Sequence, residues 1–341
     1  MIKTAIVILN WNGKELLKTF LPSVVRYSST PEVDIYVADN NSDDDSIEFV
    51  RKEFPEIKII QLEKNFGFAG GYNKALNQIE AKYFILLNSD VEVSENWLVQ
   101  LINLMDNESS IAACMPKILS YNKKDEFEYA GAAGGFIDKY GFIFCRGRIF
   151  NVNEKDKGQY NKKTQIFWAT GACLMIRSDI FFDAGGLDED FFAHMEEIDL
   201  CWRIKNRGKN IFYCPDSQVY HLGGGTLNKT NPRKTYLNFR NNLYMLYKNL
   251  PKNSLFKVFL IRFILDGIAG INFLFHLEFN NFFSVIKAHF SFYFNVSKFK
   301  AKRRENLKHN INYSHPEIYP KSIVKMFFFK NIKTFDKIEF N

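Results

Sequence analysis

The chain has 341 residues, of which 46% are hydrophobic and 24% are charged. This composition is typical of a globular protein and excludes global disorder, and the length suits one domain with a smaller second one. The formal net charge of +7 leans toward the C-terminal third and favours an anionic partner, either a phosphate-bearing substrate or a membrane surface. The basic excess also permits nucleic-acid binding, but the sequence contains no recognition motif and we expect none.

Cysteine use and the apolar runs indicate the compartment. The five cysteines are odd in number and none forms a CxxC pair, which favours buried thiols in a reducing compartment. The apolar run in "MIKTAIVILNWNG" is too short for a secretory signal and predicts a first β-strand. No uncharged stretch reaches the roughly 18 to 20 residues that span a bilayer. We therefore expect a cytoplasmic protein, peripherally bound to the inner face of the cell membrane.

The first third of the chain alternates apolar, strand-like runs with helical patterns. Strands are predicted at "TAIVILNW", "DIYVADN", "IKIIQLE" and "KYFILLNSD", with helices between them. Near-continuous apolar strands separated by helices indicate an α/β fold with a parallel sheet covered on both faces. Ligands of such sheets bind beyond the carboxyl ends of the strands, which here are Asn10 to Asn12, Asp39 to Ser42 and Asn88 to Asp90.

The pattern changes twice beyond the fourth strand. Residues 120–165 are rich in Gly, Lys, Asp and Tyr and predict loops with short strands. The segment "DEDFFAHMEEIDLCWRIKNRG" predicts an amphipathic helix that ends near Gly208, and "NIFYCPDSQVYH" predicts another strand. From about residue 228 the pattern is helical and rich in phenylalanine. We therefore divide the chain into an α/β domain over 1–227 and a C-terminal helical region over 228–341.

Two of the polar segments near the strand ends have alternative explanations. Asp39 in "VADNNSDDD" can accept hydrogen bonds from a ribose hydroxyl or a base N–H, or it can cap the helix that follows. The segment "NFGFAGGYN" places Gly67, Gly70 and Gly71 before a helix but matches neither GxGxxG nor a phosphate-binding loop. Its glycines either let the backbone approach a ligand at a helix N-terminus or form a plain turn.

Three further segments carry residue types suited to metal and proton chemistry. Asp90 in "LLNSD" follows a buried strand, and Mg²⁺ or Mn²⁺ sites combine one or two such carboxylates with substrate phosphates and water. The segment "HMEEIDLCWR" puts Glu196, Glu197 and Asp199 on one helical turn. Either one glutamate is a general base, or the turn is a wet helix face with Asp199 in an i,i+4 ion pair. His221 in "VYHLGGGT" stands beside three glycines.

Taken in order, these segments resemble the family 2 glycosyltransferases, which have the GT-A fold. The resemblance runs from about Ile6 to Thr226 and is closest to the rhamnosyltransferase-type branch that builds bacterial surface polysaccharides. It is carried by "VILNWNG", "VADNNS", "NFGFAGGYN", "LLNSD", "TGACLMIR", "GGLDEDFF", "EEIDLCWR" and "VYHLGGGT". Each motif is modest alone, but their succession in this order is specific.

The resemblance implies a nucleotide-diphospho-sugar site at the strand ends. Asp39 matches the aspartate that holds the base and ribose of the nucleotide. The loop that lines the nucleotide pocket is matched by Asn65, Gly70, Gly71 and Asn73. We also assign to the nucleotide-sugar site Asn10, Asn12, Asn88, Ser89, Trp168 and Gly171. Of these, Trp168 either stacks on a sugar ring or belongs to the core.

The resemblance also implies a divalent metal, Mg²⁺ or Mn²⁺. Asp90 matches the last position of the DxD motif, which binds the metal that bridges the two phosphates, although the first position is Asn88 here. His221 matches a histidine that joins the metal site in some members. Gly223 to Gly225 would then form a mobile loop that closes over the donor.

The implied reaction is an inverting glycosyl transfer. Glu197 falls at the second residue of the family's "ED" pair, its catalytic base, and Glu196 is the adjacent alternative. The implied donor is dTDP-rhamnose or a UDP-sugar, and the implied acceptor is a saccharide hydroxyl, commonly lipid-linked in this branch. The QxxRW motif of processive members is absent, which favours one sugar per binding event. The alternatives are a sugar-phosphate nucleotidyltransferase, which "ILNWNGKELL" does not fit well, and a non-catalytic sugar-nucleotide-binding protein.

The C-terminal region contains two apolar stretches, "SLFKVFLIRFILDGIAGINFLF" and "NNFFSVIKAHFSFYFNVSKFKAKRR". Lys257, Arg262 and Asp266 interrupt the first stretch, and basic and aromatic residues alternate with aliphatic ones in both. This pattern fits helices that lie in the membrane interface. The alternative is a helical pair packed on the α/β domain.

Overall fold

The computed structural model describes residues 2–223 and 231–340 of the chain. Its strands are β1 (Ile2–Asn10), β2 (Val33–Asp39), β3 (Lys58–Gln61), β4 (Ala81–Asn88), β5 (Val91–Val93), β6 (Ile111–Ser120), β7 (Gly135–Asp138), β8 (Ile143–Cys145), β9 (Arg148–Ile149), β10 (Val152–Asn153), β11 (Thr164–Gln165), β12 (Cys173–Arg177), β13 (Asn210–His221) and β14 (Ile318–Tyr319). Its helices are α1 (Lys14–Ser28), α2 (Ser46–Glu53), α3 (Gly67–Leu76), α4 (Trp97–Asn107), α5 (Ser178–Asp183), α6 (Glu196–Asn206), α7 (Pro232–Asn249), α8 (Lys252–Phe275), α9 (Phe279–Asn295), α10 (Phe299–Lys308) and α11 (Ile323–Phe329).

The large sheet has the order β11-β13-β6-β12-β4-β1-β2-β3, with β5 paired to β13. Strand β1 runs parallel to β2 and β4, β2 runs parallel to β3, and β6 runs parallel to β13. Strand β12 is antiparallel to both of its neighbours, β4 and β6. The predicted α/β fold is confirmed, with the difference that one strand at the centre of the sheet is reversed.

Burial on both faces explains why the central strands are continuously apolar. In β4, every residue from Tyr83 to Leu87 is 0% exposed, and in β1 the same holds from Ala5 to Val7. The five cysteines are all buried and free, which confirms the prediction from their number and spacing. The core therefore surrounds the strands whose carboxyl ends carry the polar residues singled out above.

The small sheet has the order β10-β9-β8-β7-β14. Its last strand, β14, comes from the C-terminal region and pairs in parallel with β7. Phe335 and Phe340 of the same region pack on Phe136 and Phe144, with ring centroids 4.9 to 6.4 Å apart. The C-terminal region therefore returns to the α/β domain after its helices. The predicted boundary at residue 227 lies outside the described residues and stays a prediction.

Two predicted helices begin elsewhere. The helix predicted over "DEDFFAHMEEIDLCWRIKNRG" starts only at Glu196, after a 3₁₀ turn at Glu189–Phe191. Phe192, His194 and Met195 have φ values of 66°, 70° and 73°, which no α-helix can contain. Phe192 consequently lies outside the helix and is 36% exposed. Helix α3 begins at Gly67, earlier than the glycine pattern indicates.

Helices α8 and α9 form an antiparallel pair beside α7. Among the helices that the structure describes, α8 is the one long and apolar enough to cross a membrane, and 22% of its most apolar window is buried. Its buried residues include Arg262 and Asp266, which form an ion pair at 3.0 Å on the side facing the protein. Seven of its large apolar side chains are exposed, namely Phe256, Leu260, Phe263, Ile264, Ile268, Ile271 and Phe275.

Candidate active site

A buried polar cluster joins the carboxyl ends of β1 and β2. The Asn10 amide nitrogen donates to Asp39 Oδ1 at 3.2 Å and to Ser46 Oγ at 2.8 Å. The Ser42 hydroxyl donates to Asp39 at 2.5 Å and accepts from the backbone N–H of Asn12 at 2.9 Å. The structure therefore brings together Asn10, Asn12 and Asp39 at one sheet edge, as the sequence predicts. Asp39 is 4% exposed, and its oxygens are largely used within this cluster.

The asparagines of "NFGFAGGYN" hold the loop before α3 in place. Asn65 Oδ1 accepts from the Gly67 N–H at 2.8 Å and from Asn40 Nδ2 at 3.1 Å. Asn73, within α3, makes two hydrogen bonds to the backbone of Leu187. Its Nδ2 donates to the Leu187 carbonyl at 2.8 Å, and its Oδ1 accepts the Leu187 N–H at 3.0 Å. Both side chains therefore have structural partners in this conformation.

The glycines of this loop are explained by packing. A Cβ on Gly71 would lie 2.8 Å from Leu9 Cδ1, and a Cβ on Gly70 would lie 2.9 Å from Phe66 Cβ. Helix α3 can approach β1 this closely because Gly71 lacks a side chain, while the absence of one at Gly70 leaves room for Phe66. The assignment of Asn65, Gly70, Gly71 and Asn73 to the nucleotide pocket stays a prediction.

Asp90, His221 and Glu128 form a buried cluster at the end of β4, the Asp90–His221–Glu128 cluster. His221 Nε2 lies 3.1 Å from Asp90 Oδ1, and Nδ1 lies 3.2 Å from Glu128 Oε2. Burial lowers the pKa of His221, but the two carboxylates outweigh it and raise this pKa to about 10. Burial raises the pKa of Asp90, and the facing imidazole then brings it below its usual value. Sequence reasoning missed Glu128, which lies in an irregular segment.

The donor set at this edge suits a divalent ion. Two ligands of an octahedral ion, each at about 2.1 Å, lie about 3.0 Å apart in neighbouring positions. His221 Nε2 and Asp90 Oδ1 lie 3.1 Å apart, so a divalent ion could take the place of the proton that joins them in this structure. Within residues 2–223 and 231–340, no group of three or more His, Cys, Asp or Glu side chains could hold a metal by itself. Substrate phosphate and water would have to complete the coordination, as is usual for Mg²⁺.

Glu197 lies beside this edge, at the start of α6. Its carboxylate accepts a hydrogen bond from the Gly171 N–H. The next residue, Ala172, accepts the backbone N–H of Asn88 at 3.0 Å, because β12 begins where β4 ends. The structure thus brings Glu197, Gly171 and Asn88 together, as predicted. Ser89 follows Asn88 and is half-buried at the same edge.

The two adjacent glutamates differ in access. Glu196 is 3% exposed, whereas Glu197 is half-buried. Burial raises the pKa of Glu197 to about 6, against backbone N–H groups that lower it. Burial, followed by the neighbouring Glu197 charge, raises the pKa of Glu196 well above its usual value. Oε2 of Glu197 is buried and has no hydrogen-bond partner among the described residues, and the same holds for Oε2 of Glu196, so an acceptor must open this edge to reach either oxygen.

The structure places Trp168 in the core. Its indole ring is 2% exposed, and its N–H donates to the Phe136 carbonyl at 3.0 Å. A Cβ on Gly135 would lie 2.1 Å from the ring, so one face is covered by backbone. The prediction that Trp168 stacks on a sugar is therefore corrected in favour of its core alternative.

Asp199 belongs to a buried network between α6 and α7, the α6–α7 ion network. Lys248 Nζ lies 2.7 Å from Asp199 and 2.6 Å from Asp188, and Arg203 Nε lies 2.8 Å from Asp199. Lys302 of α10 also contacts Asp188. The predicted i,i+4 pair of Asp199 with Arg203 is confirmed, but it is buried rather than on a wet face. Lys248 and Lys302 were missed because nothing in their own segments marks them.

The predicted closing loop reaches past the described structure. Gly223 is described and has a φ of 68°, and a Cβ there would lie 2.7 Å from Glu128 Oε1. Gly224 and Gly225 lie outside the described residues.

The sheet order and the polar edge define the protein as an α/β protein with the GT-A fold, and comparison with known proteins specifies the family. The model of the family "Glycosyl transferase family 2" matches residues 5–183. The chain therefore belongs to glycosyl transferase family 2, and it is a glycosyltransferase.

Two relatives support this conclusion, and one solved structure supports the fold. The N-acetylglucosaminyl-diphospho-decaprenol L-rhamnosyltransferase of Mycobacterium tuberculosis is 23% identical over 234 residues, covering 63% of this chain and 75% of the relative. The low-salt glycan biosynthesis hexosyltransferase Agl10 of Haloferax volcanii is 25% identical over 260 residues, covering 74% and 76%. The crystal structure of GalNAc-T7 with UDP, GalNAc and Mn²⁺ has a TM-score of 0.56 at 16% identity, over 73% of this chain and 48% of that one. The predicted family, its rhamnosyltransferase-like branch and the GT-A fold are confirmed.

Proposed function

We propose that the protein is an inverting, non-processive glycosyltransferase that moves a sugar from a nucleotide-diphospho-sugar to a hydroxyl of a saccharide acceptor. The observation that carries this proposal is the position of Glu197. Its carboxylate accepts the Gly171 N–H, and the adjoining Ala172 carbonyl accepts the N–H of Asn88 at the strand edge that carries Asp90. A base next to a diphosphate-binding edge is the minimum that sugar transfer from such a donor requires.

The nucleotide would bind at the carboxyl ends of β1, β2 and β4. We place its base and ribose at Asp39, next to Asn10 and Asn12, because these side chains meet there. The segment 65–73, which leads into α3, would border the diphosphate and the sugar together with Asn88, Ser89 and Gly171. Such binding would replace some of the hydrogen bonds that Asp39 makes to Ser42.

Asp90 and His221 would hold a divalent cation, Mg²⁺ or Mn²⁺. When bound, the cation neutralises the negative charge on the departing nucleoside diphosphate. Glu128 would hold His221 in the orientation that leaves Nε2 for the metal. The Mn²⁺ and UDP in the GalNAc-T7 structure support this proposal for the same fold.

Glu197 would act as the general base. It takes the proton of an acceptor hydroxyl, and the hydroxyl oxygen forms a bond to the anomeric carbon. The bond from that carbon to the diphosphate oxygen breaks, and the nucleoside diphosphate leaves with the electron pair. Because attack and departure occur on opposite faces, the configuration inverts. A pKa of about 6 leaves Glu197 mostly ionised at neutral pH and close to the optimum for proton transfer.

The relatives suggest the donor and acceptor classes. The Mycobacterium tuberculosis protein is named for L-rhamnose transfer to a sugar on a diphospho-lipid. We therefore propose dTDP-rhamnose as the first donor to test, followed by UDP-sugars, and a lipid-linked saccharide as the acceptor in surface polysaccharide synthesis.

The test is a panel of dTDP-rhamnose, UDP-hexoses and GDP-sugars with Mn²⁺ and a short-chain prenyl-diphospho-N-acetylglucosamine acceptor, read as nucleoside diphosphate release. Acceptor-dependent release, with an inverted linkage by NMR, is expected for one donor. Formation of a nucleotide sugar from a sugar phosphate and a nucleoside triphosphate would instead show a nucleotidyltransferase. Binding of nucleotide sugars by thermal shift, with no turnover of any, would show a non-catalytic binding protein.

The metal proposal has its own test. Asp90→Ala and His221→Ala should both weaken Mn²⁺-dependent binding of the nucleoside diphosphate, and affect the bare nucleoside far less, because only the diphosphate shares the metal. Asp125→Ala is the control, since Asp125 is 62% exposed and pairs with Lys155. Full activity in EDTA would contradict the proposal.

The outer faces of α8 and α9 suggest a membrane-facing surface. Phe256, Phe275, Phe283, Phe290 and Phe294 are between 58% and 83% exposed. Soluble proteins rarely expose an apolar patch this large without a partner. We therefore propose that the hairpin of α8 and α9 lies in the cytosolic leaflet, with its apolar side chains at the acyl boundary.

Basic and aromatic side chains continue from this hairpin to the turn of residues 191–195 before α6, which we call the catalytic turn. Lys287, on the exposed face of α9, lies 5.4 Å from the Tyr236 ring centroid, and Arg240 lies 5.2 Å from the same ring. Arg233, at the start of α7, lies 5.1 Å from the Phe192 ring. This row would suit the phosphates of a lipid-linked acceptor whose sugar reaches Glu197.

Vesicle flotation tests the membrane proposal on the full chain, because residues beyond the hairpin pack back on the α/β domain. Wild type should float with vesicles containing anionic lipid, and less at high salt because charge attraction is screened. The triple substitution of Phe256, Phe275 and Phe294 by Ser should abolish flotation. Phe329→Ser, on α11 and 82% exposed, should not. No flotation of wild type at low salt would show a packed subdomain, and loss on Phe329→Ser alone would move the surface to α11.

A further inference from the structure

The turn before α6 has an unusual backbone. Phe192, His194 and Met195 all have positive φ, between 66° and 73°, although none is glycine. Non-glycine residues adopt this region at a cost, so it persists only where surrounding contacts impose it. Met195 is the N-cap of α6, and the helix then begins with Glu196 and Glu197. The conformation of this turn therefore sets where the Glu197 carboxylate lies.

One side chain of α7 holds most of this turn. The Asn241 amide nitrogen lies 2.9 Å from the carbonyl oxygen of Phe191 and 2.8 Å from those of Ala193 and His194. Asn241 is 0% exposed, so water cannot replace it as donor. Neighbouring Arg240 adds bonds to the Asp190 carbonyl at 3.2 Å and the Phe191 carbonyl at 3.1 Å.

The opposite side of the turn is held by the first residues of α3. The carbonyl of Phe192 accepts the N–H groups of Phe68 at 2.7 Å and Ala69 at 3.3 Å, at the start of α3. A Cβ on Gly67 would lie 2.5 Å from the Phe192 ring, so the two segments are in close contact. The turn is thus clamped between α3 on one side and Asn241 on the other.

We propose that Asn241 is a positioning residue for catalysis, which places the Glu197 carboxylate by fixing the backbone carbonyls of residues 191–194. It acts through Glu197 and does not contact substrate. The inference rests on the proposed role of Glu197 as the base. It makes α7, which lies beyond the 5–183 family match, part of the catalytic apparatus.

The chain supplies a matched control next door. Asn242 is 4% exposed, and its amide nitrogen donates to the carbonyl of Gly141, in the turn between β7 and β8, at 2.8 Å. Asn241→Ala and Asn242→Ala each remove one buried side-chain amide, but only Asn241→Ala removes hydrogen bonds to the catalytic turn. Turnover of the donor found in the panel above should fall roughly 10²-fold in Asn241→Ala, the scale of a displacement near 1 Å, and by less than about 3-fold in Asn242→Ala. The Kd for nucleoside diphosphate with Mn²⁺ should change little in both, which also shows that both are folded.

A double-mutant cycle with Glu197→Gln distinguishes positioning from general destabilisation. If Asn241 acts through Glu197, Asn241→Ala should cost almost nothing further once the base is gone. A loss of the same size in both backgrounds would overturn the inference, as would wild-type turnover in Asn241→Ala. If Asn241→Ala does not fold, Asn241→Ser is put through the same cycle, since its hydroxyl still donates one hydrogen bond. Unchanged turnover in Glu197→Gln alone would refute the proposed base instead, which keeps the two failures separate.

Discussion

Glu197, in the first turn of α6, and Asp199, in the α6–α7 ion network, are only two residues apart, but their carboxylates have different partners. Asp199 accepts from Lys248, Arg203 and Asn249 at 2.7 to 2.8 Å and is 0% exposed. Glu197 has backbone N–H partners but no cation, and its pKa rises to about 6. Burial without a facing cation raises the pKa of Glu197 and so suits it to proton transfer near neutrality. The difference separates the residue that holds the helix from the residue proposed to carry the chemistry.

The largest expected effect breaks this comparison on its catalytic side. Glu197→Gln keeps the shape and the backbone hydrogen bonds but removes the base, so turnover should fall by about 10² to 10⁴ with donor affinity retained. Steady-state kinetics and nucleoside diphosphate binding measure the two quantities. Glu196→Gln is the control, because Glu196 is 3% exposed and cannot reach an acceptor in this conformation. An inactive Glu196→Gln beside an active Glu197→Gln would move the base by one residue.

The second prediction breaks the comparison on its structural side. Lys248→Met leaves Asp188 and Asp199 buried without their shared cation. The expected loss in unfolding free energy is about 3 kcal/mol, the lower end for a broken buried ion pair, because Lys302 and Arg203 remain. Urea unfolding measures it, with Lys52→Met as control, since Lys52 is 83% exposed. Equal stability of the two variants would contradict a structural role for the network.

How far the sequence predicts this site depends on the distance over which each residue acts. Asp39, Asn88 and Asp90 were predicted because each directly follows an apolar strand, and parallel strands bring such ends to one edge. Glu197 came from the motif order alone. The sheet was predicted well for the same reason, except that nothing local shows the reversed direction of β12.

The residues that were missed act across the fold. Glu128 lies in an irregular segment, and Asn241 and Lys248 lie on a helix whose own pattern indicates only amphipathic packing. The partners of Asn241 and Lys248 are fixed by how α7 packs on α6 and the turn before it, which a single sequence does not encode locally. The three positive φ values before α6 were missed because Phe192, His194 and Met195 carry no local signal for that region.

The third prediction concerns the pairing of His221 with Glu128, in comparison with the ion pairs of the α6–α7 ion network. Glu128→Gln removes the carboxylate that faces Nδ1 but leaves Asp90 and His221 in place. Mn²⁺ affinity should fall roughly 10- to 100-fold, the usual cost of losing the partner that orients a metal-binding histidine. Mn²⁺ titration by electron paramagnetic resonance measures this directly, without turnover. Glu126→Gln serves as control, since Glu126 pairs with Lys123 away from the cluster. Unchanged affinity in Glu128→Gln would reduce Glu128 to a packing role.

The smallest effect is a pH dependence that should appear in two measurements with opposite signs. With a pKa of about 6, Glu197 must lose its proton to act as base, so kcat/KM should fall about tenfold per pH unit below 6 and level off above it. Stability should run the other way. The native state keeps this proton at a pH where the unfolded chain, near the ordinary value of 4.5, has lost it, so the unfolding free energy falls as pH rises from about 4.5 to about 6. Glu197→Gln should make that decline shallower but not abolish it, because burial also raises the pKa of Asp138 to about 6 and that of Glu196 well above its usual value. Glu196→Gln should leave the kcat/KM limb near 6 in place, because Glu197 is still present. If the activity limb stays near 6 in the wild type but the decline in stability is as steep in Glu197→Gln as in the wild type, Glu197 does not titrate near 6 and another group sets the activity limb.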